Sequence, residues 1–443
     1  MKQILEKEIK EIVMDFLEKI KNKEIQIISH FDTDGITSAA IIIQTLKKLD
    51  KTFTLKIVKS LEENFIKKLP KNKIILFLDL GSGSLEHIEE SGLKDVFIID
   101  HHEIIQKIPE NVKIINPQLF EKQKISTSGL TYLFSKEINP ENRQFAKLAI
   151  LGMIGDRLEK EISKLNNGIL EDSEIKRKRG LLIYPSTRPL NRALEFSSNP
   201  YIPGVTGDIK GVLELLRESE LTPTKGKYKS LLELNENEMK KLITAIMLKN
   251  PHTKEEIIGD IFLIKLYNQL EDARELSAKI NACSRSGKSD VALQLCMEIS
   301  QARKKAESIH SKYKQELISG LQFVQEAEKV QGQGFVVINA KKNIKDTMIG
   351  TITSILANSS LYKKETIITA MAYYDDKIKV SIRNVGDKGR NVREILNNVI
   401  NITGGEIGGH EFAAGCIIKK NKEKEFLDCL KKNLEIEMIK IKS

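Results

Sequence analysis

Short apolar runs alternate with helical patterns along the first quarter of the chain. The runs are rich in Ile, Leu and Val, and the segments between them carry apolar residues at helical spacing. Continuous apolar runs separated by helices are typical of a parallel sheet that is buried on both faces. The pattern predicts a doubly wound α/β domain with strands Ile25–Ser29, Phe53–Val58, Ile74–Leu80, Val96–Asp100 and Val112–Ile115, and helices Ile36–Leu49, Leu61–Lys68 and Leu85–Ser91.

The rest of the chain predicts a helical middle and a second, smaller α/β domain. Residues 127–165 have a helical pattern, 181–208 are rich in turns and prolines, and 293–324 predict one long connecting helix. We therefore expect three domains, at 1–208, 209–330 and 331–443. In the last of these the pattern predicts strands Phe335–Asn339, Thr366–Tyr374 and Lys377–Arg383, and helices Thr347–Leu356, Val392–Ile400 and Lys424–Asn433.

Composition narrows the class of protein only slightly. A net charge of +10 suits a polyanionic partner, whereas the absence of Trp and an aromatic content of 5% argue against an extensive platform for stacking bases. The longest apolar runs are far shorter than the ~20 residues that a membrane span needs. The N-terminus reads as an amphipathic helix and no export signal is evident, so we expect a cytoplasmic protein. The four cysteines form no CxxC pair, which favours reduced thiols.

Acidic and imidazole side chains follow several of the predicted strands. In a doubly wound sheet, ligands bind beyond the carboxyl ends of the strands, so these side chains should converge there. Several carboxylates at one edge would repel each other strongly without cations, and mixed carboxylate and imidazole ligands favour Mn²⁺, Mg²⁺, Fe or Co. Two such ions bridged by one carboxylate would suit attack on phosphorus. The residues are His30, Asp32, Asp34, Asp79, Asp100, His101, His102 and Asp156.

Each of these short motifs also has an ordinary structural interpretation. Asp32-Thr33-Asp34-Gly35 alone is often a solvated turn or a calcium loop, and a single Asp after a strand usually caps the next helix. A His-His pair after a strand is more often structural than metal-binding. Four separate clusters at strand ends or helix turns of one sheet are unlike chance capping, and together they favour a metal site.

The same motifs resemble a known family. His30-x-Asp32-x-Asp34-Gly35, Asp79, Asp100-His101-His102 and Gly152-x-x-x-Asp156 look like motifs I to IV of the DHH phosphoesterases. Residues 404–415, with Gly408-Gly409-His410 at their centre, look like the Gly-rich signature of the associated DHHA1 domain. Residues 199–204 and 280–285 resemble the archaeal RecJ-like branch, which includes GINS-associated and Hef-associated nucleases.

The resemblance implies a specific set of metal ligands. His30, Asp32 and Asp79 would bind one Mn²⁺, and Asp34, Asp79, His101 and Asp156 would bind the other, with Asp79 bridging. Mg²⁺ and Co²⁺ are alternatives. Asp100 would orient His101. His102 would lie near the scissile phosphate and assist electrostatically.

In the C-terminal domain the resemblance implies a site for a substrate phosphate. Gly408 and Gly409 would let backbone N–H groups approach an anion, with His410 beside them; a plain tight turn is the structural alternative. Arg383 fits the position that clamps a phosphate, and Arg285 is a further candidate. Ile407 departs from the family pattern, which has Gly there, and its side chain could narrow the phosphate site.

These features favour a metal-dependent exonuclease acting on single-stranded DNA or RNA from a chain end, in DNA replication or repair. The resemblance implies single-stranded nucleic acid and either GINS or the Hef helicase as partners, and no membrane is expected. One alternative is a phosphodiesterase of nanoRNA or cyclic dinucleotides. Another is an inactive subunit that docks to a replication or repair complex, which the complete set of predicted ligands disfavours. Cleavage polarity and the choice between DNA and RNA stay open.

Overall fold

The computed structural model describes residues 2–120, 123–198, 200–249, 257–359, 361–386 and 388–442. The chain divides into two compact units, one formed by residues up to Arg179 together with Gly259–Ser311, and the other by Gly180–Ile258 together with the residues from Lys312 onward. The three domains expected at 1–208, 209–330 and 331–443 stay a prediction, and the two units divide the chain at other positions. Asn199, in one of the stretches that carry the family resemblance, lies outside the described residues.

The first unit is built on the predicted parallel sheet. Its strands are β1 (Ile25–His30), β2 (Phe53–Val58), β3 (Ile74–Leu78), β4 (Val96–Ile99) and β5 (Val112–Ile115), in the order β2-β1-β3-β4-β5. All neighbours pair in parallel. Each predicted strand is confirmed, with ends that shift by two residues at most, because long apolar runs are a strong signal for buried strands.

Helices cover both faces of this sheet. They are α1 (Lys2–Lys19), α2 (Thr33–Lys48), α3 (Glu63–Lys67), α4 (Leu85–Glu90), α5 (Thr127–Ile138), α6 (Ala146–Gly155) and α7 (Lys164–Asp172). Successive residues of β1 enter different cores, since side chains alternate across a strand. Ile27 packs in the core that holds Phe16 of α1 and Ile36 of α2, whereas Ile28 packs with Ile66 of α3.

A partly buried ion cluster ties α5 to α7. Tyr132, which is fully buried, donates a hydrogen bond to Asp172 Oδ2 at 2.7 Å, Lys136 Nζ lies 2.5 Å from the same oxygen, and Arg143 Nε lies 3.0 Å from Asp172 Oδ1. Burial works to raise the pKa of Asp172, but Lys136 and Tyr132 outweigh it and lower that pKa. The ionised carboxylate therefore stabilises the fold.

We expect Asp172→Asn to lower the free energy of unfolding by about 1 kcal/mol at pH 7. Because the pKa is lowered on folding, this contribution is present above the unfolded pKa of about 4 and is lost as the pH falls through the folded pKa. Urea unfolding at pH 7 and at pH 3 should show the difference from wild type shrinking in acid. Glu171→Gln, at the exposed neighbouring position, is the control, and an equal loss there would contradict the cluster's role.

The middle of the chain combines the predicted helices with a small sheet that the sequence pattern does not predict. It contains β6 (Lys176–Leu181), α8 (Leu190–Glu195), α9 (Ile209–Glu218), α10 (Glu236–Lys249), β7 (Ile258–Leu266) and β8 (Gln269–Asp272). Strands β6, β7 and β8 form a three-stranded sheet. Tyr267 and Asn268 turn β7 into β8 with φ of 50° and 58°, values typical of a two-residue hairpin. The helical region predicted after residue 208 is confirmed, and this hairpin is an addition that its pattern does not predict.

Three helices follow the hairpin: α11 (Ala273–Arg285), α12 (Ser289–Cys296) and α13 (Ser300–Glu326). The long helix predicted from 293 therefore begins at Ser300. The helix is interrupted at Glu298, whose φ of 56° no right-handed helix can accommodate. Apolar spacing continued across the break, which is why the sequence pattern could not reveal it.

The C-terminal part is a mixed sheet with helices. Strands β9 (Lys329–Gly332), β10 (Phe335–Asn339), β11 (Ile367–Tyr374), β12 (Lys377–Asn384), β13 (Glu406–His410) and β14 (Ala413–Lys419) are ordered β13-β14-β12-β11-β10-β9. Only the β10–β11 pair is parallel. The accompanying helices are α14 (Asp346–Ala357), α15 (Val392–Thr403) and α16 (Glu423–Lys442). The predicted α/β fold with a smaller C-terminal domain is confirmed. No described helix is long and apolar enough to cross a membrane.

Candidate metal centre

The end of β1 and the end of β3 bring the first three side chains together. His30 closes β1, and its Nδ1 lies 3.1 Å from Asp32 Oδ2 and 3.1 Å from Asp79 Oδ2. Asp32 is the N-cap of α2 and accepts a hydrogen bond from the Gly35 N–H at 3.0 Å. That cap starts α2 three residues earlier than predicted. Asp32 is thus both the cap of α2 and a predicted metal ligand.

Asp79 lies immediately after β3 in a left-handed backbone conformation, with φ of 61°. Such a conformation is uncommon for a residue other than Gly and is tolerated best by Asn and Asp. The side chain is almost completely buried. Its Oδ2 faces His30, whereas its Oδ1 lies 3.7 Å from His101 Nε2. The two oxygens of one carboxylate therefore face two different imidazoles.

Asp34, in the first turn of α2, is fully buried and held by the N-terminus of α5. The Thr127 N–H donates to its Oδ2 at 2.7 Å, and the Ser128 N–H donates to its Oδ1 at 2.9 Å. Helix α6 also packs closely against Asp34, because a Cβ added at Gly152 would lie 2.3 Å from Asp34 Oδ1. The Gly of the Gly152-x-x-x-Asp156 motif is thus required for space.

Asp156 caps the C-terminal end of α6 and faces His101, with 3.6 Å between Asp156 Oδ2 and His101 Nε2. This carboxylate oxygen is buried and has no hydrogen-bond partner among the described residues. A buried, unpaired carboxylate oxygen is costly, so such a group usually has a partner that the protein chain does not supply. A cation would satisfy it.

The carboxylates perturb each other strongly. Burial and the charges of Asp34 and Asp32 raise the pKa of Asp79 well above its usual range, and burial with the charges of Asp34 and Asp79 raises the pKa of Asp156 to about 11. Burial also works to raise the pKa of Asp32, but the adjacent His30 ring outweighs it and lowers that pKa to about 2. Without cations, the cluster therefore retains protons at neutral pH.

Asp100 contacts a different imidazole from the one predicted. Its Oδ1 lies 2.7 Å from His102 Nδ1 and accepts the backbone N–H groups of His101 and His102 at 2.8 and 3.2 Å. Ser82 N–H donates to the other oxygen at 3.0 Å. The expected contact from Asp100 was to the ring of His101, whereas the structure shows a contact to the ring of His102. The hydrogen bond to Asp100 raises the pKa of His102.

At this edge of the sheet, the described residues form three groups of possible metal ligands. Within each group the ligand atoms lie within 4.8 Å of one another. All six residues predicted as metal ligands occur in them. This set of ligands fits one or two divalent cations such as Mn²⁺, because it combines four carboxylates with imidazoles and one carboxylate oxygen is buried without a partner among the described residues. The groups are His30, Asp32 and Asp79; Asp34, His101 and Asp156; and Asp79, His101 and His102.

Sequence reasoning missed the residues that support this centre. Asn281 of α11 accepts a hydrogen bond from the Thr33 N–H at 3.2 Å, and Thr33 Oγ1 donates to the Ser277 carbonyl at 3.1 Å. These contacts fix the turn between Asp32 and Asp34. Asn281 lies inside a stretch that the family resemblance had marked. Thr127 and Ser128 had only a weak signal, an N-cap pattern at Ser126.

The predicted phosphate-binding residues lie in the second unit, except for Arg285. Arg383 of β12 donates from Nε to Ser354 Oγ at 3.1 Å and from Nη1 to the Ile382 and Ala414 carbonyls at 2.8 and 3.0 Å. Burial lowers the pKa of this guanidinium. Arg285, the last residue of α11 in the first unit, is exposed. Their roles toward a substrate stay predictions.

Gly408, Gly409 and His410 lie in strand β13, so the alternative of a plain tight turn was wrong. Gly409 has φ of 116°, and a Cβ there would lie 2.4 Å from the Ala413 carbonyl oxygen, whereas a Cβ at Gly408 would meet open space. Gly408 and His410 are exposed. Ile407 packs against the core of the domain. The Ile407 side chain, at the position where the family pattern has Gly, therefore lies on the core side of the strand.

Three family profiles match the chain. The DHH family, N-terminal domain, matches residues 24–153, the DHH-CID domain matches 183–256 and the DHHA1 domain matches 332–435. An uncharacterized protein from Methanocaldococcus jannaschii is 30% identical over 95% of this chain and 96% of its own length. The single-stranded-DNA-specific exonuclease RecJ of Bacillus subtilis is 23% identical over 90% of this chain, which spans 44% of that protein.

Solved structures share the fold. A crystal structure of exonuclease RecJ bound to manganese has a TM-score of 0.60 at 17% identity, with 95% of this chain and 93% of the other covered. CDC45 from Entamoeba histolytica has a TM-score of 0.70 at 11% identity, with coverage of 96% and 99%. The fold and the matched profiles define a protein with DHH and DHHA1 domains. The chain belongs to the DHH/DHHA1 family and is a RecJ-like member of it.

Proposed function

We propose that this protein is a metal-dependent exonuclease that hydrolyses phosphodiester bonds of single-stranded DNA or RNA from a chain end. The observation that carries the proposal is the orientation of Asp79, whose two carboxylate oxygens face His30 on one side and His101 on the other. A carboxylate in that orientation suits a bridge between two cations. Relatives described as single-strand-specific exonucleases support the nucleic-acid substrate.

Two Mn²⁺ ions are the proposed cofactors, with Mg²⁺ or Co²⁺ as substitutes. His30, Asp32 and Asp79 would hold one ion, and Asp34, Asp79, His101 and Asp156 the other. When bound, such a pair activates water and neutralises charge on the phosphodiester. Structures of RecJ proteins with Mn²⁺ and with Mg²⁺ support a divalent cation.

Basic side chains of the protein would contact the substrate directly. His102 is about half exposed, and Asp100 fixes its Nδ1. Because the hydrogen bond to Asp100 raises its pKa, the ring is more readily protonated and can donate to a phosphate oxygen. Arg383, Gly408, Gly409 and His410, with Arg285 as a further candidate, are proposed to bind a substrate phosphate. The net charge of +10 supports a polyanion.

A role in DNA replication or repair, with GINS or the Hef helicase as partner, is part of the proposal. It rests on the resemblance of residues 199–204 and 280–285 to archaeal RecJ-like proteins. A cytoplasmic location follows from the same role, since the enzyme needs access to cellular nucleic acid.

The test compares one oligonucleotide in linear and circular form, as DNA and as RNA, with Mn²⁺ or with EDTA. We expect the linear strand to be degraded with Mn²⁺, and both the circle and the EDTA samples to stay intact. Labels at the 5′ or the 3′ end of the linear strand report polarity. Cleavage of the circle would contradict an end requirement. Rapid hydrolysis of dinucleotides without attack on longer strands would favour the nanoRNA or cyclic-dinucleotide phosphodiesterase instead.

A further inference from the structure

The hydroxyl of Thr127 contacts the carboxylate that faces both imidazoles. Thr127 Oγ1 donates a hydrogen bond to Asp79 Oδ1 at 3.1 Å, and both residues are buried, with exposures of 0% and 1%. Oδ1 is the oxygen that faces His101, whereas Oδ2 faces His30. A hydrogen bond to one oxygen of a carboxylate restricts its rotation about the bond to Cβ. Thr127 thus holds the carboxylate in the orientation that points one oxygen toward each imidazole.

The same residue contacts the second buried acid through its backbone. The Thr127 N–H donates to Asp34 Oδ2 at 2.7 Å, and the next N–H, of Ser128, donates to Asp34 Oδ1. Thr127 therefore links Asp79 and Asp34, which come from different strand–helix connections. Both oxygens of Asp34 are engaged, so its orientation is fixed as well. Thr127 is therefore the residue of α5 that contacts both carboxylates, and Ser128 completes the contacts to Asp34.

Helix capping does not explain the Thr127 hydroxyl. The N-cap of α5 is Ser126, whose Oγ accepts from the Gly129 N–H at 3.2 Å. A buried hydroxyl at Thr127 is therefore not needed to start the helix. Its described hydrogen bond goes to Asp79, across 48 residues of sequence.

We propose that Thr127 is a positioning residue that sets the orientation of Asp79 so that two divalent cations bind at the same time. The inference rests on the proposed two-metal function and concerns how this chain builds the pair. Polar groups that orient ligands typically change metal affinity by about 10–100-fold when removed. Removing the Thr127 hydroxyl leaves Asp79 free to turn both oxygens toward one side. The expected consequence is selective weakening of one of the two ions.

The test is calorimetric titration of the full chain with Mn²⁺ alone, without nucleic acid. Wild type should bind two ions. Thr127→Val, which keeps the shape and loses the hydroxyl, should keep one ion and bind the other about 10–100-fold more weakly. Thr127→Ser should restore both. At two equivalents of Mn²⁺, the EPR spectrum of wild type should show coupled ions, whereas that of the Val variant, recorded below the dissociation constant of the weakened site, should show isolated ions.

Thr131→Val is the matched control. Thr131 lies one turn further along α5, is fully buried, and its hydroxyl has no hydrogen-bond partner in the described part of the chain. The Thr131→Val variant should bind two ions as wild type does. If Thr127→Val does not fold, as judged by thermal unfolding in EDTA, Thr127→Ala replaces it.

The outcomes separate the inference from the proposed function. Two ions bound with wild-type affinity in Thr127→Val would overturn the positioning role and leave the exonuclease proposal standing. Fewer than two ions bound to wild type would overturn both, because there would be no pair to position. Equal weakening of both ions in Thr127→Val and in Thr131→Val would also overturn the inference, since it would indicate a general effect on α5.

Discussion

Asp79→Asn is expected to lower metal-dependent phosphodiester hydrolysis by at least about 10³-fold, the scale on which the loss of one preorganised electrostatic group is felt. An amide presents one oxygen and one N–H₂ group, so it cannot bridge two cations as a carboxylate can. The substitution preserves shape, and Asn tolerates the left-handed backbone at this position, where φ is 61°. Loss of activity would therefore show that hydrolysis requires the carboxylate of Asp79. Release of label from a linear strand with Mn²⁺ measures it.

The same substitution should stabilise the metal-free protein. Burial and the charges of Asp34, Asp32 and Asp100 raise the pKa of Asp79, so without metal this carboxyl must take up a proton when the protein folds at neutral pH. A neutral amide needs no proton, so the thermal midpoint in EDTA should rise while the stabilisation by Mn²⁺ falls. Opposite signs for stability and activity are typical of functional groups that the fold does not need.

Asp50→Asn is the matched control for Asp79→Asn. Asp50 also has a left-handed backbone, with φ of 51°, but it is exposed and follows the far end of α2. It should leave both hydrolysis and the response to Mn²⁺ unchanged. Hydrolysis by Asp79→Asn at the wild-type rate would exclude a bridging role for this carboxylate.

The sheet and its acidic edge could be predicted because both depend on local sequence. Apolar runs such as Ile74–Leu78 specify a buried strand, and a parallel sheet collects the residues that follow its strands at one edge. His30, Asp79 and His101 therefore converge as expected. The strand β13 at 406–410 was not predicted. It forms through its pairing with β14, and a short Gly-rich sequence does not specify such a tertiary contact.

The groups that orient the acids could not be predicted, since they come from distant segments. Thr127 and Ser128 lie more than 90 residues from Asp34, and they bind it through backbone N–H groups that every residue but Pro carries. Asn281 lies 248 residues from Thr33. The units are also discontinuous in sequence, because the chain leaves the first unit after Arg179 and returns at Gly259. Sequence periodicity carries no information about such returns.

Gly152→Ala is expected to lower the free energy of unfolding by about 3 kcal/mol and to weaken Mn²⁺ binding by about 10–100-fold. The new Cβ would lie 1.9 Å from Ser128 Oγ and 2.3 Å from Asp34 Oδ1. Helix α6 must move away from α5, which disturbs the hydrogen bonds that the α5 N-terminus gives to Asp34. Ala is favoured over Gly inside a helix by about 1 kcal/mol, so packing alone must produce the loss. Urea unfolding in EDTA and titration with Mn²⁺ measure the two effects separately.

Gly168→Ala isolates the contribution of helix propensity. Gly168 lies inside α7, and a Cβ there would meet no atom within 4 Å. This variant should be up to about 1 kcal/mol more stable than wild type and should bind Mn²⁺ normally. The difference between the two glycine variants is then the energetic effect of close packing at Asp34. If Gly152→Ala unfolds like Gly168→Ala and binds Mn²⁺ as wild type does, the contact between α6 and Asp34 does not constrain the metal centre.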